Sequence, residues 1–277
     1  MNVPAIPLAG VIGFPIGQSA SPRMHKYWLA RYGLVGDYVP LEVSESQLRN
    51  VIQTMPQMGF VGANVTIPHK TAVMQIADHL SDRAILVGAA NTLIFRPDGK
   101  IHADNTDGYG FMSNLRQGAP HWNAKSGPAV VLGAGGAARA IIVALADAGV
   151  PQILLANRTR PKAEALRSEF GTRIKVVDWV QANTALEDAN LLVNTTSLGM
   201  IGQPELRLSL DYLSPSTVVT DIVYKPLRTP LLEHAAARGC VTVDGLGMLL
   251  HQGVPGFERW FGQRPEVDDA LRQAVLE

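Results

Sequence analysis

Residues 129–139 read AVVLGAGGAAR. A short apolar run, Ala129–Leu132, meets the turn Gly133-Ala134-Gly135-Gly136, and a small-residue stretch, AARAIIVALADAG, follows from Ala137. The pattern predicts a buried strand, a tight turn and a helix. Gly133 lets the chain turn sharply, Gly135 lets backbone approach a bound phosphate, and small Ala138, where a third glycine is usual, lets the helix pack close to the strand. The helix start offers unpaired N–H groups and a positive dipole end. A dinucleotide pyrophosphate needs these features, but ordinary turns contain glycine too, so the rest of the chain has to decide.

Working outward, the stretch after residue 129 alternates strand and helix. The expected strands are 129–134, 152–157, 174–177, 190–196 and 217–223, and the expected helices centre on 137–148, 160–170 and 228–238. Apolar strands alternating with helices imply a parallel sheet covered on both faces. The fold class is therefore α/β, with a Rossmann-type doubly wound dinucleotide domain preceded by another α/β domain. In that first region, strands are expected at Leu8–Phe14, Asp37–Glu42 and Phe60–Thr66, with helices from Ser21 and over Glu45–Met58. Ser21 followed by Pro22 reads as a helix cap and a first helical residue. A further helix is expected after Ile67-Pro68-His69-Lys70. The runs 89–95 and 100–103 flank the turn Pro97-Asp98-Gly99 as a possible hairpin. The segment YGFMSNLRQ is a helix leading toward the second domain.

Composition narrows the function classes. The formal net charge is +0, so no electrostatic case exists for nucleic acid or a membrane surface. The lone cysteine, Cys240, allows no internal disulfide, which points to a reducing cytoplasm. Pro4, Pro7 and Pro15 interrupt the N-terminus and no Lys or Arg precedes Arg23, which argues against a secretory signal. No stretch has the roughly 18 uncharged apolar residues of a membrane helix. The histidines lack metal-ligand spacing, so no metal is expected.

The nucleotide can be read from the strand end about 20 residues past the glycines, where the adenine-side ribose sits. That place is Asn157-Arg158-Thr159-Arg160. A carboxylate there would suit NAD. Here Arg158, Arg160 and nearby Lys162 offer cations and Thr159 a hydroxyl, which suits a 2′-phosphate and predicts NADP. Cations disfavour a helix start, so their clustering asks for an anion.

Further motifs lie on both sides of this region. GFPIGQSASP, GANVTIPHK, GAANTL, DNTDG, GAGGAAR, NRT, NTTSLGM, DIVYKPLRTPLL and DGLGMLLHQ occur in that order over nearly the whole chain. Together they resemble the shikimate dehydrogenase family. The resemblance implies NADPH-dependent, reversible reduction of 3-dehydroshikimate to shikimate, a step of aromatic amino-acid biosynthesis. It also implies a substrate domain built from both chain ends (1–106 and 246–277), an NADP-binding domain (107–245) and an active site in a cleft between them. Partners would be small molecules, with the chain a monomer or homodimer.

Residue by residue, Lys70 and Asp107 match the family's catalytic pair. On chemistry alone, Lys70 is either a surface lysine or a group that polarises a carbonyl and donates a proton; Asp107 either caps the helix beyond Gly108 or orients Lys70. Sequence does not decide which of them transfers the proton. Ser19 and Ser21 match the hydroxyl pair that holds the substrate carboxylate. Thr66, Asn91 and Gln252 match contacts to ring hydroxyls, which need groups that donate and accept; Tyr224 matches a substrate-side tyrosine. Gly133, Ala134, Gly135, Gly136 and Ala137 face the pyrophosphate, and Asn157, Arg158, Thr159, Arg160 and Lys162 the ribose phosphate. Thr195, Ser197, Gly245 and Met248 lie near the nicotinamide by the same resemblance. The competing expectations are a paralogue acting on quinate or using NAD, and a catalytically silent NADP-binding regulator.

Overall fold

The computed structural model describes residues 6–277, so the N-terminal stretch weighed above against a secretory signal begins outside the described residues. In chain order the elements are β1 (Leu8–Gly13), α1 (Ser21–Arg31), β2 (Asp37–Glu42), α2 (Leu48–Thr54), β3 (Phe60–Val65), β4 (His79–Leu80), α3 (Asp82–Val87), β5 (Thr92–Phe95), β6 (Ile101–Asp104), α4 (Asp107–Gly118), β7 (Ala129–Leu132), α5 (Gly136–Asp147), β8 (Ile153–Ala156), α6 (Arg160–Phe170), β9 (Ile174–Val177), β10 (Leu191–Asn194), β11 (Val218–Asp221), α7 (Pro230–Ala237), β12 (Thr242–Val243), α8 (Leu246–Phe261) and α9 (Asp269–Leu276). They form two compact units. One comprises the described residues up to Asp107 together with Leu249–Glu277; the other is Gly108–Met248.

In the first unit the sheet order is β2-β1-β3-β5-β6-β4. β1 runs parallel to β2 and β3, while β5 is antiparallel to both β3 and β6, so the expected hairpin does form. Asn64 of β3 pairs with Thr92, and Thr92 pairs with Asp104. That register brings the ends of β1, β3 and β6 and the start of β5 to one edge of the sheet. β1 is buried almost throughout because both its faces are covered. Ile12, Ala63, Leu93 and Ile52 pack on one side, and Val11, Tyr38 and Trp260 on the other.

Several local expectations change. The helix expected over Glu45–Met58 is α2 followed by a 3-10 turn at Met55–Met58. Pro56 lacks the N–H that would continue the α-helix. After Lys70 the chain makes turns and a short 3-10 segment, Ala72–Gln75, and no α-helix. Ser21 is the first residue of α1 and not its cap; Ala20 holds the cap position without a side-chain hydrogen bond. The hydroxyl that meets a backbone N–H there is that of Ser19, which accepts from Ser21 N–H at 3.3 Å. β4, α3 and β12 had no strong sequence pattern, being only two, six and two residues long.

The second unit holds a parallel sheet in the order β12-β11-β10-β7-β8-β9. From β7 the chain steps outward through β8 to β9, returns to β10 and steps outward the other way. The order therefore reverses between β7 and β10, where open α/β sheets bind their ligands, beyond the carboxyl ends of the strands. All four residues of β7 are buried. Ala129 and Val131 pack with Ile141 and Leu145 of α5, whereas Val130 and Leu132 pack with Leu186, Leu192 and Val219 on the opposite face. Burying an aliphatic side chain contributes about 1.5–3 kcal/mol, which is why so short a strand is held firmly. Among the described residues no helix is long and apolar enough to cross a membrane.

Candidate active site

The register of the first sheet determines what meets at its edge. Lys70 follows β3, Asn91 precedes β5, and Asp107 follows β6 to open α4. Lys70 Nζ lies 2.7 Å from Asp107 Oδ2, and Asn91 Nδ2 donates to Asp107 Oδ1 at 2.8 Å. Asn91 Nδ2 also lies 3.5 Å from Gln252 Oε1, contributed by α8. The Asp107 side chain is 4 % exposed and that of Lys70 27 %, so the carboxylate is enclosed while the lysine side chain is partly open to solvent.

Backbone contacts fix these side chains. Ala90 N–H donates to the Lys70 carbonyl, and the Asn91 N–H to that of Asp104. Asn105 Oδ1 accepts from Asp107 N–H, and Asn105 Nδ2 donates to the Ala89 carbonyl. Asn91 Oδ1 accepts from the backbone and the hydroxyl of Thr106. The Thr106 hydroxyl also lies 2.9 Å from the Gln252 carbonyl. With both Asn91 heteroatoms committed, its amide has one orientation.

Ser19 and Ser21 stand beyond the end of β1 at the same sheet edge, half-buried and buried respectively. Thr66 directly follows β3, half-buried, with its N–H bonded to the Ile12 carbonyl. Polar groups gathered at one strand edge, donors and acceptors together, suit a small molecule carrying a carboxylate and hydroxyls.

In the second unit, Gly133 has φ +106°, and a Cβ on it would lie 2.6 Å from Thr195 Oγ1. Only glycine fits there without strain. The Gly133 N–H closes onto the Ala156 carbonyl. Asn157 Oδ1 accepts from Ala134 N–H at 3.1 Å, and its Nδ2 donates to the Thr159 carbonyl. Asn157 therefore staples the glycine turn to the NRT stretch. Gly135 caps α5 with no side-chain partner, and a Cβ at Gly135 or Gly136 would meet only open space. An uncapped twelve-residue helix opening onto free space at the switch point fits an anionic pyrophosphate. Ala137 is half-buried in its first turn.

The basic cluster divides. Arg160 pairs with Asp178 and Glu164, so the anions that its position demands come partly from its own chain. Arg158 and Lys162 are exposed and form no ion pair among the described residues. Thr159 is the N-cap of α6, without a side-chain cap bond. The expectation that the whole cluster awaits an anion narrows to Arg158 and Lys162.

Thr195 lies directly beyond β10, its hydroxyl 2.7 Å from the Leu132 carbonyl, with exposed Ser197 nearby in sequence. Gly245 is buried where a Cβ would collide with the Ile222 carbonyl, and Met248 is buried in α8. Tyr224 is half-buried beyond β11, and burial pushes its phenol up. The sequence reading gave no role to Asn105 and Thr106, which orient Asp107 and Asn91, although both sit in DNTDG. It also passed over buried Asp221, which accepts from Asn194 and Thr229 at the end of β11; burial raises its carboxyl. The run of small polar residues at the end of β6, DNTD, is the signal that would find the first pair; Asp221, followed by Ile222 and Val223, carries no such run.

Three family descriptions match the chain: shikimate dehydrogenase substrate binding domain over 11–93, shikimate/quinate 5-dehydrogenase over 117–203, and shikimate 5′-dehydrogenase C-terminal domain over 245–276. A shikimate dehydrogenase (NADP(+)) of Cereibacter sphaeroides is 67% identical over 271 residues, covering 98% of this chain and 97% of its own. Among solved structures, a quinate dehydrogenase from Corynebacterium glutamicum in complex with NAD is 32% identical with a TM-score of 0.90, covering 97% of this chain and 98% of its own. A shikimate 5-dehydrogenase from Thermus thermophilus in complex with NADP(H) and shikimate is 34% identical with a TM-score of 0.87, again covering 97% and 98%.

Proposed function

The chain belongs to the shikimate dehydrogenase family, and from that premise we propose that its first unit binds the substrate and its second the dinucleotide. The activity is NADPH-dependent, reversible reduction of 3-dehydroshikimate to shikimate. Bound NADPH supplies the hydride that reduces the ring carbonyl.

The chain's own residues supply the rest. Lys70 Nζ donates the proton that the carbonyl oxygen takes as hydride reaches its carbon; Asp107 Oδ2, 2.7 Å away, aims that donor. In the oxidation direction the same pair receives the proton. Gln252 presents an amide donor and acceptor to ring hydroxyls beside Asp107, Asn91 offers the N–H that Asp107 does not hold, and Thr66 a hydroxyl. Ser19 and Ser21 donate to the ring carboxylate, and Tyr224 offers a phenol hydroxyl to the substrate, as the family resemblance implies. Gly133 to Ala137 hold the pyrophosphate, Arg158 with Thr159 and Lys162 holds the ribose 2′-phosphate, Asn157 supports both by its staple, and Arg160 contributes only to the local field. Thr195, Ser197, Gly245 and Met248 flank the nicotinamide.

The observation carrying this reading is the enclosed Asp107 carboxylate, which meets Lys70 on one oxygen and Asn91 on the other. The test is steady-state kinetics with shikimate and quinate, each with NADP and NAD. A highest kcat/KM for shikimate with NADP is expected. A higher value for quinate would overturn the substrate assignment, and an absence of turnover the catalytic one.

A further inference from the structure

Behind the polar edge of the first unit lies a second layer of partners. Tyr38 of β2 is fully buried, and its hydroxyl lies 2.8 Å from Asn64 Oδ1 on β3. An amide oxygen only accepts, so the phenol is the donor. Asn64 Nδ2 then faces the other way and donates to the Asn91 carbonyl at 3.1 Å and the Thr92 hydroxyl at 3.2 Å. Asn91 Nδ2 in turn donates to Asp107 Oδ1 at 2.8 Å. The phenol ring itself is clamped, with His25 stacked on its face at 3.9 Å and 2° between planes. Burial pushes the phenol hydroxyl well above its usual range, while the Ser21 hydroxyl beside it acts in the opposite sense.

We infer that Tyr38 is a positioning residue for the dehydrogenase reaction: its hydroxyl sets the orientation of the Asn64 amide, and Asn64 thereby holds the start of β5 so that Asn91 meets Asp107. The inference rests on the reading of Lys70, Asn91 and Asp107 as the reacting edge. Without the phenol hydroxyl, the Asn64 amide loses the donor that selects its oxygen on the Tyr38 side, where only the neighbouring His25 ring remains beside it. A flipped amide would set its oxygen against the Asn91 carbonyl oxygen, and two acceptors face to face repel. Asn91 would then relax away from the carboxylate, while the apolar body of Tyr38 stayed in place.

The test is a double-mutant cycle of Tyr38→Phe and Asn64→Ala, with kinetics for shikimate and NADP and a thermal melt of each variant. Loss of one buried hydrogen bond that positions the edge is expected to lower kcat/KM for shikimate about tenfold. The KM for NADP should stay unchanged. Asn64→Ala should cost at least as much, and the double variant no more than Asn64→Ala alone. Wild-type kcat/KM in Tyr38→Phe would overturn the inference. So would effects that multiply in the double variant, because they would make the phenol a packing group. If Tyr38→Phe does not fold, Asn64→Asp carries the test: it keeps an acceptor for Tyr38 and loses both donations to β5, and wild-type kcat/KM in it overturns the inference. Failure of the underlying reading shows separately, as wild-type protein inactive on shikimate or as Lys70→Ala retaining full turnover.

Discussion

Lys70 and Asp107 are 37 residues apart in the chain, yet Nζ and Oδ2 lie 2.7 Å apart. They meet because β3 and β6 end at the same sheet edge, each aligned with β5, to which both are antiparallel. Lys70 sits in the turn that follows β3 and Asp107 opens α4 just past β6, so both side chains are carried by short segments anchored to neighbouring strand ends.

Removing either partner should stop chemistry more than binding. General acid–base groups contribute about 10²–10⁴ in rate, so Lys70→Ala and Asp107→Asn are expected to lower kcat by about that range. Binding of NADP, followed by the change in protein fluorescence, should be little altered. A kcat within a few-fold of wild type in both variants would remove this pair from the reaction.

Cofactor choice should depend on Arg158 and far less on Arg160, which already has Asp178 and Glu164 as partners. A charge-assisted hydrogen bond is worth about 1.5–3 kcal/mol. Arg158→Ala should accordingly raise the KM for NADP about 10- to 100-fold and leave that for NAD nearly unchanged. Arg160→Ala should change both little. Equal effects of Arg158→Ala on the two cofactors would refute the placement of the 2′-phosphate.

Gly133 cannot carry a side chain at φ +106° without strain, and a Cβ would also press on Thr195 Oγ1 at 2.6 Å. Gly133→Ala is expected to destabilise the protein by about 1–3 kcal/mol. It should also weaken NADP binding, because the turn would shift. Chemical denaturation and NADP titration check the two effects; unchanged values for both would show that the turn tolerates a methyl group.

Acid stability should report His25. Its ring is fully buried against Tyr38, Trp28 and Phe257, and neither ring nitrogen has a hydrogen-bond partner among the described residues. Desolvation lowers its pKa from 6.5 to about 3, opposed in part by the neighbouring Asn64 side chain. The unfolded chain therefore binds this proton more readily than the folded one between those values. Stability contributed by neutral His25 is fully present above pH 6.5 and is lost as pH falls toward about 3. The slope is about 1.4 kcal/mol per pH unit. Half-buried His251, lowered to about 4 by burial and by Arg272, acts with the same sign. Denaturation of wild type and His25→Leu at a series of pH values isolates the first: the variant's acid limb should be shallower by about one proton. Parallel limbs would show that His25 is not the titrating group.

The dinucleotide half was readable along the chain because its chemistry is local. A glycine turn between a buried strand and a small-residue helix is encoded within 129–139, and NRTR lies on the next strand end. Even there, Asp178 was invisible: it reaches Arg160 from the end of β9, and only the parallel pairing of β8 with β9 puts those ends side by side. Pro56 differs, since its missing N–H makes the end of α2 readable from residue type alone, whereas the acceptance of the Ser21 N–H by Ser19 depends on the exact turn.

Taken by itself, the sequence determined the α/β class, the glycine turn and the basic character of the NRTR stretch, since residue type and near spacing govern each, while Lys70, Asn91 and Asp107 became candidates through the family resemblance of their motifs. Tertiary structure alone decided that those three side chains form one hydrogen-bonded set, that Asn105 and Thr106 orient them, and that Tyr38 reaches them through Asn64. The physical reason is strand register. A shift of one residue in the pairing of β3, β5 and β6 would turn Asn64 to the opposite face and move the strand ends that carry Lys70, Asn91 and Asp107 out of alignment, and register is set by the burial of both sheet faces and not by any single motif.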